Sequence, residues 1–349
     1  MTPSAPGLGR AAKGCLMALA VFGHMASLAA ADWVRPGLTT NVPIWGRVGG
    51  LQVALPPAGF RGPGGGPRGL LRLGYPILPH GGYDLVNFIA IEPVVAGQRG
   101  FSELEASRWD GTRGKRLWTQ ASAGAGLDPG ELTWPAPGVE RLTVAVRVER
   151  FDNGAHVRLR LVQRSDTPDE VSLTVFAEPD SAPLEFCILT ATMGNMARTR
   201  QLWLAGRVVT STGLYPDLRG TGFAPHTLFG LGQLQRMPDG EVVVAVTNDE
   251  TNPAAVFPFP GTHDWYYGGR KVTQYWKKPT GTYRDDLAVA VNARYAYWQS
   301  DQPLPGGVAF ENFELRERFY QGQQFIFGIT GKTAAALGFH APGAAGGAR

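Results

Sequence analysis

The chain has 349 residues, with 33 basic and 29 acidic side chains and a net charge of +4. The two signs are interspersed, so there is no basic stripe of the kind that binds a nucleic-acid backbone, and no nucleic-acid partner is expected. Gly (47 residues) and Pro (27) together make about a fifth of the chain and fall between short apolar runs, which is turn punctuation in a β protein.

The first 31 residues have the layout of a secretory signal peptide: Arg10 and Lys13, an apolar run over 15–28, then Ala29, Ala30 and Ala31 before Asp32. The apolar run is shorter than the ~20 residues a bilayer span needs, and no later segment approaches that length, so no membrane insertion is expected after processing. The expected location is secreted or periplasmic, in a bacterial envelope setting. Losing Arg10 and Lys13 lowers the net charge from +4 to +2. Of the two cysteines only Cys187 remains, so no internal disulfide can form, and its apolar flanks predict a buried structural thiol.

Alternation of apolar and polar residues then dominates. The run 140–149 (Glu-Arg-Leu-Thr-Val-Ala-Val-Arg-Val-Glu) and the run 156–162 flank Asp152-Asn153-Gly154, a strong hairpin signal. Runs at 171–176, 202–209, 241–247, 287–291, 308–316 and 319–329 repeat the pattern. Helical periodicity over ten or more residues is hard to find. The expected fold is all-β: a large antiparallel β-sandwich or supersandwich with few short helices. The expected division is a signal peptide over 1–31, one sandwich domain over 32–338 and a disordered tail over 339–349. The Gly- and Pro-rich stretch 60–69 reads as a surface loop.

Three clusters carry chemistry-bearing side chains. The densest runs over 257–278 and holds His263, Asp264, Trp265, Tyr267, Arg270 and Lys271. Flat rings suit the apolar face of a pyranose and the polar groups suit hydroxyls or carboxylates, so a carbohydrate ligand is expected here. A loop packed over the sandwich edge accounts for the same residues. The second runs from Glu92 through Arg99, Phe101, Glu103 and Glu105 to Asp110, Lys115 and Trp118. If this is a strand, Glu103 and Glu105 share a side, able to hold a cation or share a proton, or else simply wetted. The third is 310–319. Strict period two places Glu311 with Phe313 and Leu315, where desolvation would raise its pKa as suits a general acid or base, and Glu314 on the other side. Glu311 at a wet strand mouth is the alternative.

No metal site is expected, because His80, His156, His226, His263 and His340 show no close ligand spacing. No Gly-x-Ser-x-Gly elbow and no phosphate-cradling loop occurs, so a triad hydrolase and a nucleotide enzyme are disfavoured, and no cofactor is expected.

Short segments of the chain resemble the galactose mutarotase family. Leu78-Pro79-His80-Gly81-Gly82 resembles its Leu-His-Gly-Gly, and His226-Thr227-Leu228-Phe229-Gly230-Leu231 resembles its central His-x-Tyr-Phe-Asn-Leu. Glu311 or Glu314 lies where that family has a late catalytic Glu, ahead of Gln321-Gly322-Gln323-Gln324-Phe325, similar to its closing turn and strand. Pro225 and Leu228 stand where the family has Asn and Tyr. The resemblance implies a supersandwich acting on sugars. In it, His226 protonates the ring oxygen, Glu311 or Glu314 takes the anomeric hydroxyl proton, and His80 helps to hold the sugar. The expected function is an exported carbohydrate-active protein, an epimerase or a polysaccharide lyase. In the lyase form Tyr267 or His263 is the base, and Arg270 and Lys271 neutralise a uronate, with Arg99 among the sugar-binding groups. The alternative is a non-catalytic module that binds glycan or an envelope partner.

Overall fold

Period-two burial dictates the architecture. In the computed structural model, which describes residues 1, 32–60, 67–76, 81–120, 127–192, 199–248, 272–296, 300–304 and 306–340, the runs at 140–149 and 156–162 alternate buried and exposed positions along adjacent strands. Such strands must hide one face, and two sheets do this against each other.

The first sheet contains β1 (Trp33–Val34), β2 (Ile44–Arg47), β3 (Gln52–Ala54), β4 (Leu71–Tyr75), β5 (Asp84–Val95), β6 (Gln98–Arg99), β12 (Phe186–Thr192), β15 (Thr227–Gly230), β19 (Ala288–Arg294) and β20 (Ala309–Arg316). Its order is β1-β2-β3-β4-β5-β12-β20-β19-β15, with β6 added on β5. The second contains β7 (Leu117–Trp118), β8 (Glu131–Ala136), β9 (Val139–Val148), β10 (Val157–Arg164), β11 (Glu170–Ala177), β13 (Thr199–Leu204), β14 (Arg207–Thr210), β16 (Gln235–Arg236), β17 (Val242–Asn248), β18 (Thr273–Lys278) and β21 (Gln323–Thr330). Its order is β14-β13-β17-β18-β21-β11-β10-β9-β7, with β16 on β17 and β8 on β9. Neighbouring strands are antiparallel throughout both sheets. Helix is confined among the described residues to short pieces such as α1 (Ser211–Leu214), capped by the Thr210 side chain, which accepts from the Gly213 N–H.

Alternate residues of the two sheets meet in one apolar layer. Ile89, Ile91, Leu189, Val289, Val291, Phe313 and Leu315 come from the first sheet; Val144, Leu159, Leu173, Val244, Trp276, Phe325 and Phe327 come from the second. Each such side chain contributes roughly 1.5–3 kcal/mol by leaving water. Trp276 stitches the layer: its indole packs edge-on to Phe327 at 4.7 Å, and its N–H donates to the Phe313 carbonyl of the opposite sheet at 2.9 Å.

Several local expectations change. The run at 202–209 is two strands, β13 and β14, because Ala205-Gly206 turns the chain at Gly206 with φ +65°. The hairpin expected at Asp152-Asn153-Gly154 does form: β9 and β10 pair antiparallel, the Gly154 N–H donates to the Phe151 carbonyl and the Phe151 N–H to the Ala155 carbonyl, and the Asn153 amide also donates to the carbonyls of Pro93 and Gln98. Phe339 is fully buried against Trp203, so ordered packing reaches past residue 338. Cys187 is buried, and burial pushes its thiol pKa up, away from reactivity. Residues 2–31, nearly all of the segment expected to be a leader, lie outside the described residues, and no described helix is long and apolar enough to cross a membrane.

Candidate functional site

On the first sheet the core takes Ile91 of β5, Leu189 of β12, Phe313 of β20 and Val289 of β19. Their neighbours in sequence therefore face outward, and strand register gathers polar groups there. Thr190 stands opposite Glu314, and Glu314 opposite Ala290. Glu92, opposite Ile188, lies one row along. Between β5 and β6 the chain reverses at Ala96-Gly97, both with positive φ (48° and 74°), the geometry of a tight two-residue hairpin. That turn sets Arg99 opposite Val94, on the face that carries Glu92.

Arg99 consequently bridges two carboxylates. It is paired with Glu92, and its Nη2 donates to Glu314 Oε1 at 2.6 Å and to the Thr190 hydroxyl at 3.2 Å. Thr190 in turn donates to Glu314 Oε1 at 3.2 Å. His226 arrives from the other side, one residue before β15, with Nε2 3.1 Å from the same oxygen. The Tyr215 hydroxyl, at the end of α1, sits 3.1 Å from the Pro225 carbonyl and 2.9 Å from both Thr227 Oγ1 and the Val291 carbonyl, so it pins the segment that carries His226.

The electrostatics separate the two carboxyls. Burial pushes Glu92 up to about 8, helped by Glu314 and Glu103 and opposed by Arg99. Glu314 is buried too, but His226 and Arg99 together outweigh that burial and hold it below the ordinary carboxylate range. Near neutral pH one member of the pair keeps its proton while the other is ionised, an arrangement that suits acid–base work. Burial also raises Glu103. Glu103 Oε2 and Glu314 Oε2 are buried acceptors with no hydrogen-bond partner among the described residues. Buried acceptors of this kind are uncommon in folded proteins and call for an explanation. The Glu314 side chain is 0% exposed, whereas His226 and Arg99 keep 29% and 22% of theirs, so contact with solvent runs through the imidazole and the guanidinium.

Glu311 is elsewhere. One extra residue in β20 opposite Asn292 shifts the alternation: Phe313 pairs with Val291, but Phe310 pairs with Ala293. Phe310 takes the core position that period two assigns to Glu311, and Glu311 instead meets Arg294 at 2.7 Å. Burial raises Glu311 against the pull of Arg294. The bulge is satisfied locally, since Asn292 Oδ1 accepts from the Asn312 N–H at 2.9 Å. Glu103 and Glu105 do not share a strand face either. Their segment is a turn, and Glu105 accepts from the Phe101 and Asp152 N–H groups and pairs with fully buried Lys115.

Of the residues singled out in the sequence, His226, Glu314 and Arg99 meet at one place. His80, His263, Asp264, Trp265, Tyr267, Arg270 and Lys271 lie outside the described residues. The end of the same aromatic cluster is strand β18, and its Trp276 is core. Glu92, which opens the second cluster in the sequence, lies with them, and Thr190 and Tyr215, which carry no local signal, complete the site. Among the described residues no group of three or more His, Cys, Asp or Glu is placed to hold a metal. No family model, curated protein or solved structure matches the chain.

Proposed function

We propose that the chain is an exported carbohydrate-active protein that moves a proton on a bound sugar, in the manner of an epimerase or lyase, at the outer face of its first sheet. The observation that carries this reading is the cluster on Arg99: one guanidinium bridges two buried carboxyls, Glu92 and Glu314, and a partly exposed imidazole lies 3.1 Å from the latter, with burial raising Glu92 while His226 and Arg99 lower Glu314. His226 Nε2 lies 3.1 Å from the Glu314 carboxylate, which places the imidazole to take a proton and return it. Arg99 balances the charge of the pair while the proton travels. A bound sugar would meet Arg99 and His226, the members of the site that reach the surface, with Glu314 behind them.

The test is to follow free hexoses by polarimetry and a uronate polymer by the ultraviolet absorbance of an unsaturated product. His226→Ala and Glu314→Gln should each lower turnover by about 10²–10⁴-fold, the range for a lost general acid or base. Full turnover in both variants would sink the reading.

A binding module remains the second reading, because one surface feature favours it. Trp109 is exposed, lies 6.0 Å from the Trp118 ring and is covered by Arg116 at 4.3 Å. That is an aromatic platform of the kind that stacks on a pyranose without catalysis. A protein that binds sugars undiminished by His226→Ala, and turns over none of them, fits this reading.

A further inference from the structure

The outer face of the second sheet carries a separate trough of about 560 Å³. Register builds it in rows across the strands. Thr143, Val162, Ser172 and Ile326 line up along one row; Arg160, Thr174 and Gln324 line up along the next. Val162 and Ile326 make an apolar floor, and hydroxyl and amide groups flank it.

The positive charge here is arranged against the interest of the fold. Arg141 of β9 and Arg164 of β10 stand directly opposite each other, and like charges in that position repel. Arg164 is occupied by a two-point pairing with Asp166 (2.9 and 2.7 Å). Arg141 is bonded only to the Thr133 hydroxyl among the described residues, at 3.2 Å. Arg160 has no acidic partner among the described residues and lies 5.4 Å from the Phe176 ring centroid. Two guanidiniums thus face the trough uncompensated. The acids in the lining are fewer: Glu170 is taken by Lys277 at 2.6 Å, and Glu131 stands alone.

We propose that this trough is a binding subsite for a uronate-bearing glycan strand. An apolar floor edged with hydroxyls fits pyranose rings, and planar guanidinium forks fit carboxylates at two points. A nucleic acid fits worse, because the lining has no open aromatic face for bases and Glu131 opposes a continuous phosphate backbone. The site stands on its own sheet and does not depend on the Glu314 chemistry.

Calorimetric titration of the full chain with oligogalacturonate tests it, with the methyl-esterified oligomer and single-stranded DNA as comparators. Binding of the acidic oligomer should weaken about tenfold (~1.4 kcal/mol) for each of Arg141→Gln and Arg160→Gln, should weaken as salt rises, and should persist in the His226→Ala, Glu314→Gln double variant. Both arginines are exposed, and unchanged circular dichroism and urea midpoints would show that the fold is intact. Undiminished binding in the arginine variants, equal affinity for the esterified oligomer, or tighter binding of DNA overturns the proposal. Loss of binding only in the His226 and Glu314 variant overturns it as well, since the uronate would then sit at the other sheet.

Discussion

Glu314 and Glu317 are three residues apart in the sequence and both lie out of water, yet they live in opposite circumstances. Glu317 is closed in. It is paired with Lys278, both side chains are 0% exposed, the Gln323 amide donates to its Oε1 at 3.1 Å, and the Arg284 N–H donates to its Oε2 at 2.8 Å. The Tyr320 hydroxyl completes the shell around Lys278. Glu314 has partners that reach the surface and an oxygen left without a hydrogen bond. The contrast teaches that a buried charge is not in itself a site. What separates a structural ion pair from a candidate reaction centre is incomplete satisfaction combined with a path to solvent through a titratable group.

Lys278→Met leaves Glu317 buried and uncompensated, and urea denaturation should show a loss of about 3–5 kcal/mol, most of it recovered in Lys278→Met, Glu317→Leu. A small loss in the single variant would mean the pair is wetter than its burial says.

The open pair should show itself through pH. Glu92 keeps its proton in the folded protein up to about 8, while in the unfolded chain it loses it near the ordinary value. The folded state therefore holds the extra proton between those values, and stability from this group is complete below the unfolded pKa and falls as pH rises towards 8. Glu314 works in the other direction, adding stability that is lost as pH falls through its depressed value. Melting curves from pH 5 to 8 should decline in the parent protein, by on the order of 2–3 kcal/mol over that range, and flatten in Glu92→Gln. An identical decline in that variant would place the titration elsewhere.

The smallest effect is the most discriminating. His226→Ala should change the unfolding free energy from urea denaturation by no more than about 0.5–1 kcal/mol, because the ring is partly exposed and Arg99 still compensates Glu314. A loss as large as that of Lys278→Met would make His226 a structural partner and erase the distinction between the two glutamates.

Much of the sandwich was legible in the residues. The alternation in β9 and β10 is local, so each strand announced which face it buries. The site was legible only in part. Arg99, His226 and Glu314 stand out as polar groups in apolar or aromatic surroundings. What brings them together is register between β5, β12 and β20, which pairs residues 92 to 126 positions apart. Arg99 reaches Glu92 because Ala96-Gly97 makes a two-residue turn, a weaker sequence signal than Asp152-Asn153-Gly154, where the chain turns between β9 and β10 as expected. Thr190 looks like any β-branched strand residue, and only its neighbour across the ladder gives it a role. Glu311 was misplaced because period two assumes an unbroken ladder.

The interruption in β20 has a consequence for how such a surface can change. Losing the extra residue opposite Asn292 would keep Phe310 opposite Ala293 and Phe313 opposite Val291, so the core positions on both sides keep their lodging. Because Asn292 already supplies the loose amide with a partner, the sheet tolerates the interruption. A strand with this device can gain or shed a side chain such as Glu311 by a single-codon step, leaving the apolar layer beneath it untouched.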